Sequence, residues 1–124
     1  MYVAGREHPL RQPSRRFLDR VRSGEIEACT STEVLQEILY RYTALNRFDL
    51  ASQVYDLFVQ LCPVILPVTL ADTDRAKDLV CKELGISVRD AVHAAVMLNN
   101  DVLRIATFDI GFDRIIGVER LTMD

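Results

Sequence analysis

The sequence predicts an α/β domain in which a mainly parallel sheet carries helices on both faces. Along the 124 residues the apolar period switches repeatedly between helical spacing and short runs of strand length. No repeat, low-complexity stretch or linker breaks the alternation, so residues 1–124 read as a single domain. Residues 88–98 are apolar nearly all round, the pattern of a buried helix. Strands that alternate with helices pair in parallel, and such sheets bind ligands beyond the carboxyl ends of their strands.

The elements follow from local signals. Pro13 suits the first turn of a helix running to about Arg22, which Ser23-Gly24 ends. Ile26 to Thr30 is a strand. Thr30 and Glu33 have the spacing of a capping box and open a helix through about Ala44. A second helix, Asp49 to Leu61, lines up Leu50, Val54, Leu57, Phe58 and Leu61. Val64 to Val68 is a strand that Pro67 places near a sheet edge. A helix spans about Asp72 to Leu84 and stops at Gly85. Ser87 opens the next, to about Asn99. Leu103 to Thr107 is a strand, Phe112 to Ile115 a helical turn, and Val118 to Leu121 a last short strand.

Composition narrows the class. Hydrophobic residues make up 49% of the chain, enough for a core without disulfide or metal staples. That excludes a disordered protein, a collagen-like repeat and a disulfide-built miniprotein. The longest uncharged stretch, Leu57 to Ala71, contains Gln60, Pro63 and Pro67 and is too short and broken to span a membrane. No apolar core follows the first basic residues, so no secretory signal is expected. Cys29, Cys62 and Cys81 match no zinc spacing and lie in apolar stretches; they read as reduced core residues of a cytoplasmic protein.

Charge is uneven. Residues 1–24 carry six arginines against Glu7 and Asp19, a balance of +4. The remaining 100 residues carry nine basic and sixteen acidic side chains, a balance of −7. Such a chain approaches phosphate through local arginines or through metal ions, not through net charge. Arg15, Arg16, Arg89 and Arg114 are candidate phosphate contacts and equally candidate solvated charges.

Four carboxylates stand out. Asp90 lies in the first turn of the apolar 88–98 helix, three residues after Ser87. It reads either as a capping partner or as a functional carboxylate in a water-poor site, with small Ala94 leaving space above it. Asp109 follows the strand ending at Thr107, where parallel sheets place their sites, and reads equally as an Asx turn or helix cap before Gly111. Asp113 could assist it or be a solvated residue of the helical turn. On the 32–44 helix, Val34, Leu35, Ile38, Leu39 and Tyr42 form the apolar stripe. Glu33 points away from that stripe as a solvated cap, while Glu37 falls on its flank and is the better site candidate. His93, one turn from Asp90, reads first as a hydrogen-bonded core residue. Asp72 and Asp74 read as helix-start acids. Carboxylates gathered at one sheet end repel unless a divalent cation neutralises them, and oxygen-only ligands suit Mg²⁺ or Mn²⁺.

Three segments, in this order, resemble a PIN domain of the VapC-type toxin class. They are Thr30-Ser31-Thr32-Glu33-Val34-Leu35-Gln36-Glu37, Ser87-Val88-Arg89-Asp90-Ala91-Val92-His93-Ala94-Ala95 and Ala106-Thr107-Phe108-Asp109-Ile110-Gly111-Phe112-Asp113. The resemblance covers essentially the whole chain. It implies a three-layer α/β/α fold and a Mg²⁺- or Mn²⁺-dependent endoribonuclease. Glu37, Asp90 and Asp109 would be catalytic metal-site acids, with Asp113 as a further metal ligand. It also implies an RNA substrate, a cognate antitoxin and a homodimer, for which the Asp49–Leu61 helix is a candidate surface. The family opens with an apolar strand ending in Asp-Thr-Asn or similar, and that Asp is a principal metal ligand. Here Met1-Tyr2-Val3-Ala4-Gly5-Arg6-Glu7-His8-Pro9 resembles the loop after that strand. The expectation is an N-terminally truncated domain in which Met1 is an internal methionine. If Met1 is the true start, the alternative is a degenerate PIN-like protein that binds an antitoxin or RNA without cutting. A phosphoacceptor receiver domain shares the size and the acidic pocket, but it needs a lysine ending a late strand, and Lys77 and Lys82 both fall in a helix.

Overall fold

The computed structural model describes residues 11–82, 85–107 and 110–121. In chain order these run α1 (Arg11–Arg22), β1 (Cys29–Ser31), α2 (Thr32–Ala44), α3 (Phe48–Leu61), β2 (Val64–Leu66), α4 (Leu70–Lys82), α5 (Val88–Asn99), β3 (Arg104–Ala106), a 3-10 turn (Ile110–Arg114) and β4 (Glu119–Leu121). The predicted elements are all found in their predicted order. Two compact units make up the chain, one ending at Leu66 and the other beginning at Pro67.

In the first unit β1 and β2 pair in parallel, with Cys29 opposite Val64, Thr30 opposite Ile65 and Ser31 opposite Leu66. The chain reaches the second strand through the helical hairpin α2–α3, the long connection that parallel pairing needs. Leu35, Ile38 and Tyr42 of α2 are buried against Ala51 and Val54 of α3, and Leu50, Tyr55, Phe58 and Ile65 close around them. Ile38 has no exposed surface.

In the second unit β3 and β4 pair in parallel, Arg104 opposite Glu119 and Ala106 opposite Leu121. The core is built differently. Ala91, Ala94 and Ala95 of α5 are fully buried with Ala76 of α4, Ile86, Phe112 and Ile115. Small side chains let two helix backbones approach closely, and the larger Phe112 and Ile115 fill the remaining volume. The smallness of Ala94 is therefore used in packing. Gly117 holds a left-handed φ of +92°, and a Cβ there would press on Leu98 Cδ2 at 3.2 Å. Among the described residues, no helix is long and apolar enough to cross a membrane.

Several local expectations need correction. The strands are shorter than predicted. The Ile26 N–H bonds back to the Arg20 carbonyl, which keeps it out of the ladder, and Pro67 has no N–H to extend β2. The cap of α2 is Ser31, not Thr30: Ser31 is extended (φ −127°, ψ 163°) and its side chain accepts from the Val34 N–H, while Thr30 lies within β1. Glu33 is half-buried rather than solvated. Leu39 is 41% exposed, because the stripe through Leu35, Ile38 and Tyr42 leaves it on the flank. Of the three cysteines read as core, only Cys62 is buried. Cys29 opens β1 at its exposed end. Cys81 lies about 140° around α4 from buried Ala76.

Candidate functional site

The carboxyl end of β1 runs straight into α2. Ser31 is both the last strand residue and the helix cap, with Oγ accepting from Val34 N at 3.3 Å. Six residues on, Glu37 sits half-buried beside the buried pair Leu35 and Ile38, the flank position its spacing predicts. A carboxylate there is partly withdrawn from water, which strengthens its interaction with a cation.

α5 begins similarly. Ser87 is extended (φ −70°, ψ 154°) and its Oγ accepts from the Asp90 N–H at 3.1 Å. This cap bond uses the backbone of residue 90, so it does not itself require an aspartate. The Asp90 side chain is half-buried in the first turn, where the helix dipole favours negative charge. Behind it Ala91, Ala94, Ala95, Val96 and Met97 are buried, while Val88 is 66% exposed. His93, one turn on, is half-buried.

β3 ends at Ala106, and Thr107 beyond it is half-buried. Asp109 lies outside the described residues. Asp113, in the 3-10 turn, is exposed and held by a fork from β4: Arg120 Nε donates to Oδ1 at 3.2 Å and Nη2 to Oδ2 at 3.4 Å. Both Asp113 oxygens are thus engaged by an arginine. Glu37 belongs to the first unit, and Asp90 and Asp113 to the second. Among the described residues, no three His, Cys, Asp or Glu side chains cluster closely enough to hold a metal ion. By donor chemistry, the half-buried Glu37 and Asp90 fit a hard divalent cation.

One carboxylate is far more buried than its sequence position suggests. Asp72, the third residue of α4, is 2% exposed. Its Oδ2 accepts from the Thr69 N–H at 2.8 Å and from Thr69 Oγ1 at 3.0 Å. Its Oδ1 accepts from Asn99 Nδ2 at 2.8 Å, and Arg75 Nη1 donates to Asn99 Oδ1 at 2.7 Å. Burial pushes this carboxyl up, but the bonds from Asn99 and Thr69 outweigh it and leave the pKa below the ordinary value. The network ties the start of α4 to the end of α5. The reach back to Thr69 was legible as a helix-start acid; the bond to Asn99, 27 residues away, left no local signal. Tyr42 is the opposite case. Its hydroxyl is buried with no hydrogen-bond partner among the described residues, and burial raises its pKa against the opposing pull of Arg41.

Comparison with known proteins gives a coherent result. The PIN domain family model matches residues 1–118. A VapC ribonuclease of Mycobacterium bovis and Ribonuclease VapC13 of Mycobacterium tuberculosis are each 36% identical over 121 residues, covering 98% of this chain and 92% of the relative. Ribonuclease VapC23 of Mycobacterium tuberculosis is 37% identical over 109 residues, covering 88% of this chain and 86% of the relative. No solved structure matches the chain.

Proposed function

This chain belongs to the PIN domain family, and on that premise we propose that it is a metal-dependent endoribonuclease, the toxin of a toxin–antitoxin pair. One observation carries the reading above the others. Relatives that match 98% of the chain at 36% identity are themselves named ribonucleases. The two units would then be parts of one domain, since a single family model spans both.

The proposed site acids are Glu37, Asp90 and Asp109, with Asp113 as a fourth. Their oxygen-only donor set suits Mg²⁺ or Mn²⁺. A divalent ion so bound supplies charge neutralisation at the scissile phosphodiester and lowers the pKa of an attacking water. The chain's own contribution is placement. Ser31 and Ser87 set the starts of α2 and α5, and partial burial limits the water around Glu37 and Asp90. Three or four carboxylates in one site repel one another without a cation, so metal removal should abolish activity. Asp113 can serve only by exchanging its Arg120 fork for the ion.

The expected partners are RNA and a cognate antitoxin, the expected assembly a homodimer, and the expected compartment the cytoplasm. The test is cleavage of RNA by the folded chain with Mn²⁺, with chelator, and by Asp90→Asn. Cleavage that needs metal and disappears in Asp90→Asn supports the reading. Folded protein that leaves RNA intact under all conditions favours the non-catalytic alternative, a PIN-like protein that binds RNA or an antitoxin.

A further inference from the structure

The second unit holds an arginine that is seated against a glycine and has no ion pair among the described residues. Asp113 and Arg114 are neighbours in the 3-10 turn, yet Asp113 is taken by Arg120 from β4. Arg114 has no hydrogen bond or ion pair among the described residues. The turn beneath it is fixed, because Phe112 and Ile115 on either side are each 3% exposed. Its guanidinium lies against Gly85, where a Cβ would run into Nη1 and touch Cζ at 3.5 Å. Gly85 stands two residues before the Ser87 cap and five before Asp90. An exposed arginine normally ranges over many rotamers; this one rests on a glycine in the approach to the helix that bears Asp90.

We propose that Arg114 is a phosphate-binding residue of the substrate site, its planar fork contacting backbone phosphate oxygens of single-stranded RNA. The inference rests on the ribonuclease reading for the identity of the polyanion. Its sequence neighbour Asp113 is already engaged by Arg120, and none of the described carboxylates pairs with the Arg114 guanidinium, which leaves the fork available to an incoming phosphate. It also gives an acidic chain a local means of holding RNA. Arg104 provides the matched control. It opens β3 in the same unit, is exposed, and likewise has no hydrogen bond or ion pair among the described residues, and it is not among the side chains that meet Gly24, Gly85 or Gly117.

The test is binding of a fluorescent single-stranded RNA oligonucleotide to the full chain across a salt series, in chelator and again in calcium. Arg114→Gln is expected to weaken binding about tenfold and to flatten the logarithmic salt slope by about 0.7, one phosphate contact's share for a single strand. Arg104→Gln should stay within about twofold of the parent. Arg114→Lys, which keeps charge but not the fork, should fall between. Should Arg114→Gln melt early, the Lys variant decides: intermediate affinity supports the proposal, and parental affinity overturns it. An unchanged Kd in Arg114→Gln, an equal loss in Arg104→Gln, or no RNA binding by the parent also overturns it. Cleavage is read separately. A parent that binds through Arg114 but never cuts defeats the ribonuclease reading alone. A chain that cuts with metal and keeps its KM in Arg114→Gln defeats this proposal alone.

Discussion

α4 and α5 each place an aspartate as their third residue behind a hydroxyl side chain, Thr69 before Asp72 and Ser87 before Asp90. The outcomes differ. Asp72 is sealed at 2% exposure with both oxygens engaged by Thr69 and Asn99. Asp90 is half-buried, and its cap bond runs from the backbone N–H to Ser87. On the proposed reading, the more deeply buried of these two aspartates is the structural one. Among the described residues, Asp72 has both oxygens engaged within the fold, while Asp90 keeps some exposed surface. Buried polar groups that are satisfied stabilise a fold, and a functional group must retain some capacity for a partner.

The largest expected effect separates the two residues by activity. Asp90→Asn should lower metal-dependent RNA cleavage about a hundredfold or more, since even residues supporting a metal ligand cost about 10–100-fold. Its urea midpoint should stay close to the parent's, because the Ser87 bond survives. A variant that lost stability and activity together would make Asp90 another Asp72.

Asp72→Ala should do the reverse. Losing a charge-assisted network costs about 2–3 kcal/mol in chemical denaturation, with cleavage by the folded fraction unchanged. The effect carries a pH signature. The Asp72 pKa is lowered in the folded state, so its contribution is present above the ordinary carboxylate value of 3.8 and is lost as pH falls through the folded value. The stability gap between parent and Asp72→Ala should close below about pH 4. A gap that held constant into acid would show that the network acts through packing instead.

Two smaller effects sharpen the contrast. Ser87→Ala should cost about 1 kcal/mol in thermal unfolding, the ordinary loss of a helix cap. Tyr42→Phe removes a buried hydroxyl that has no partner among the described residues and should be neutral or stabilising by up to about 1 kcal/mol in the same measurement. Destabilisation by Tyr42→Phe would mean that the hydroxyl is satisfied after all.

Much of this was legible in the residues. Pro13, Ser87 and the apolar spacing of α2 and α5 marked helices through interactions a few residues long. Glu37 was placed on the flank of its helix by a 100° wheel alone, and it is half-buried there. The errors also have a common form. Thr30 against Ser31 as the cap turned on where the ladder with β2 ends: Ser31 is its last residue and Thr30 lies one inside it. Leu39 and Cys81 turned on which neighbour each helix meets.

The sequence by itself determined the order and type of the elements, the family resemblance and the candidate acids, because periodicity, capping and motif spacing are local properties. Only the tertiary structure decided that Asp72 is locked to Asn99, that Asp113 is held by Arg120, and that Arg114 rests against Gly85 without an ion pair among the described residues. Each of those outcomes depends on which residue, several to dozens of positions away, arrives at a given carboxylate or guanidinium. Side-chain partners at that range are set by how helices and strands pack, and packing leaves no fixed spacing in the chain.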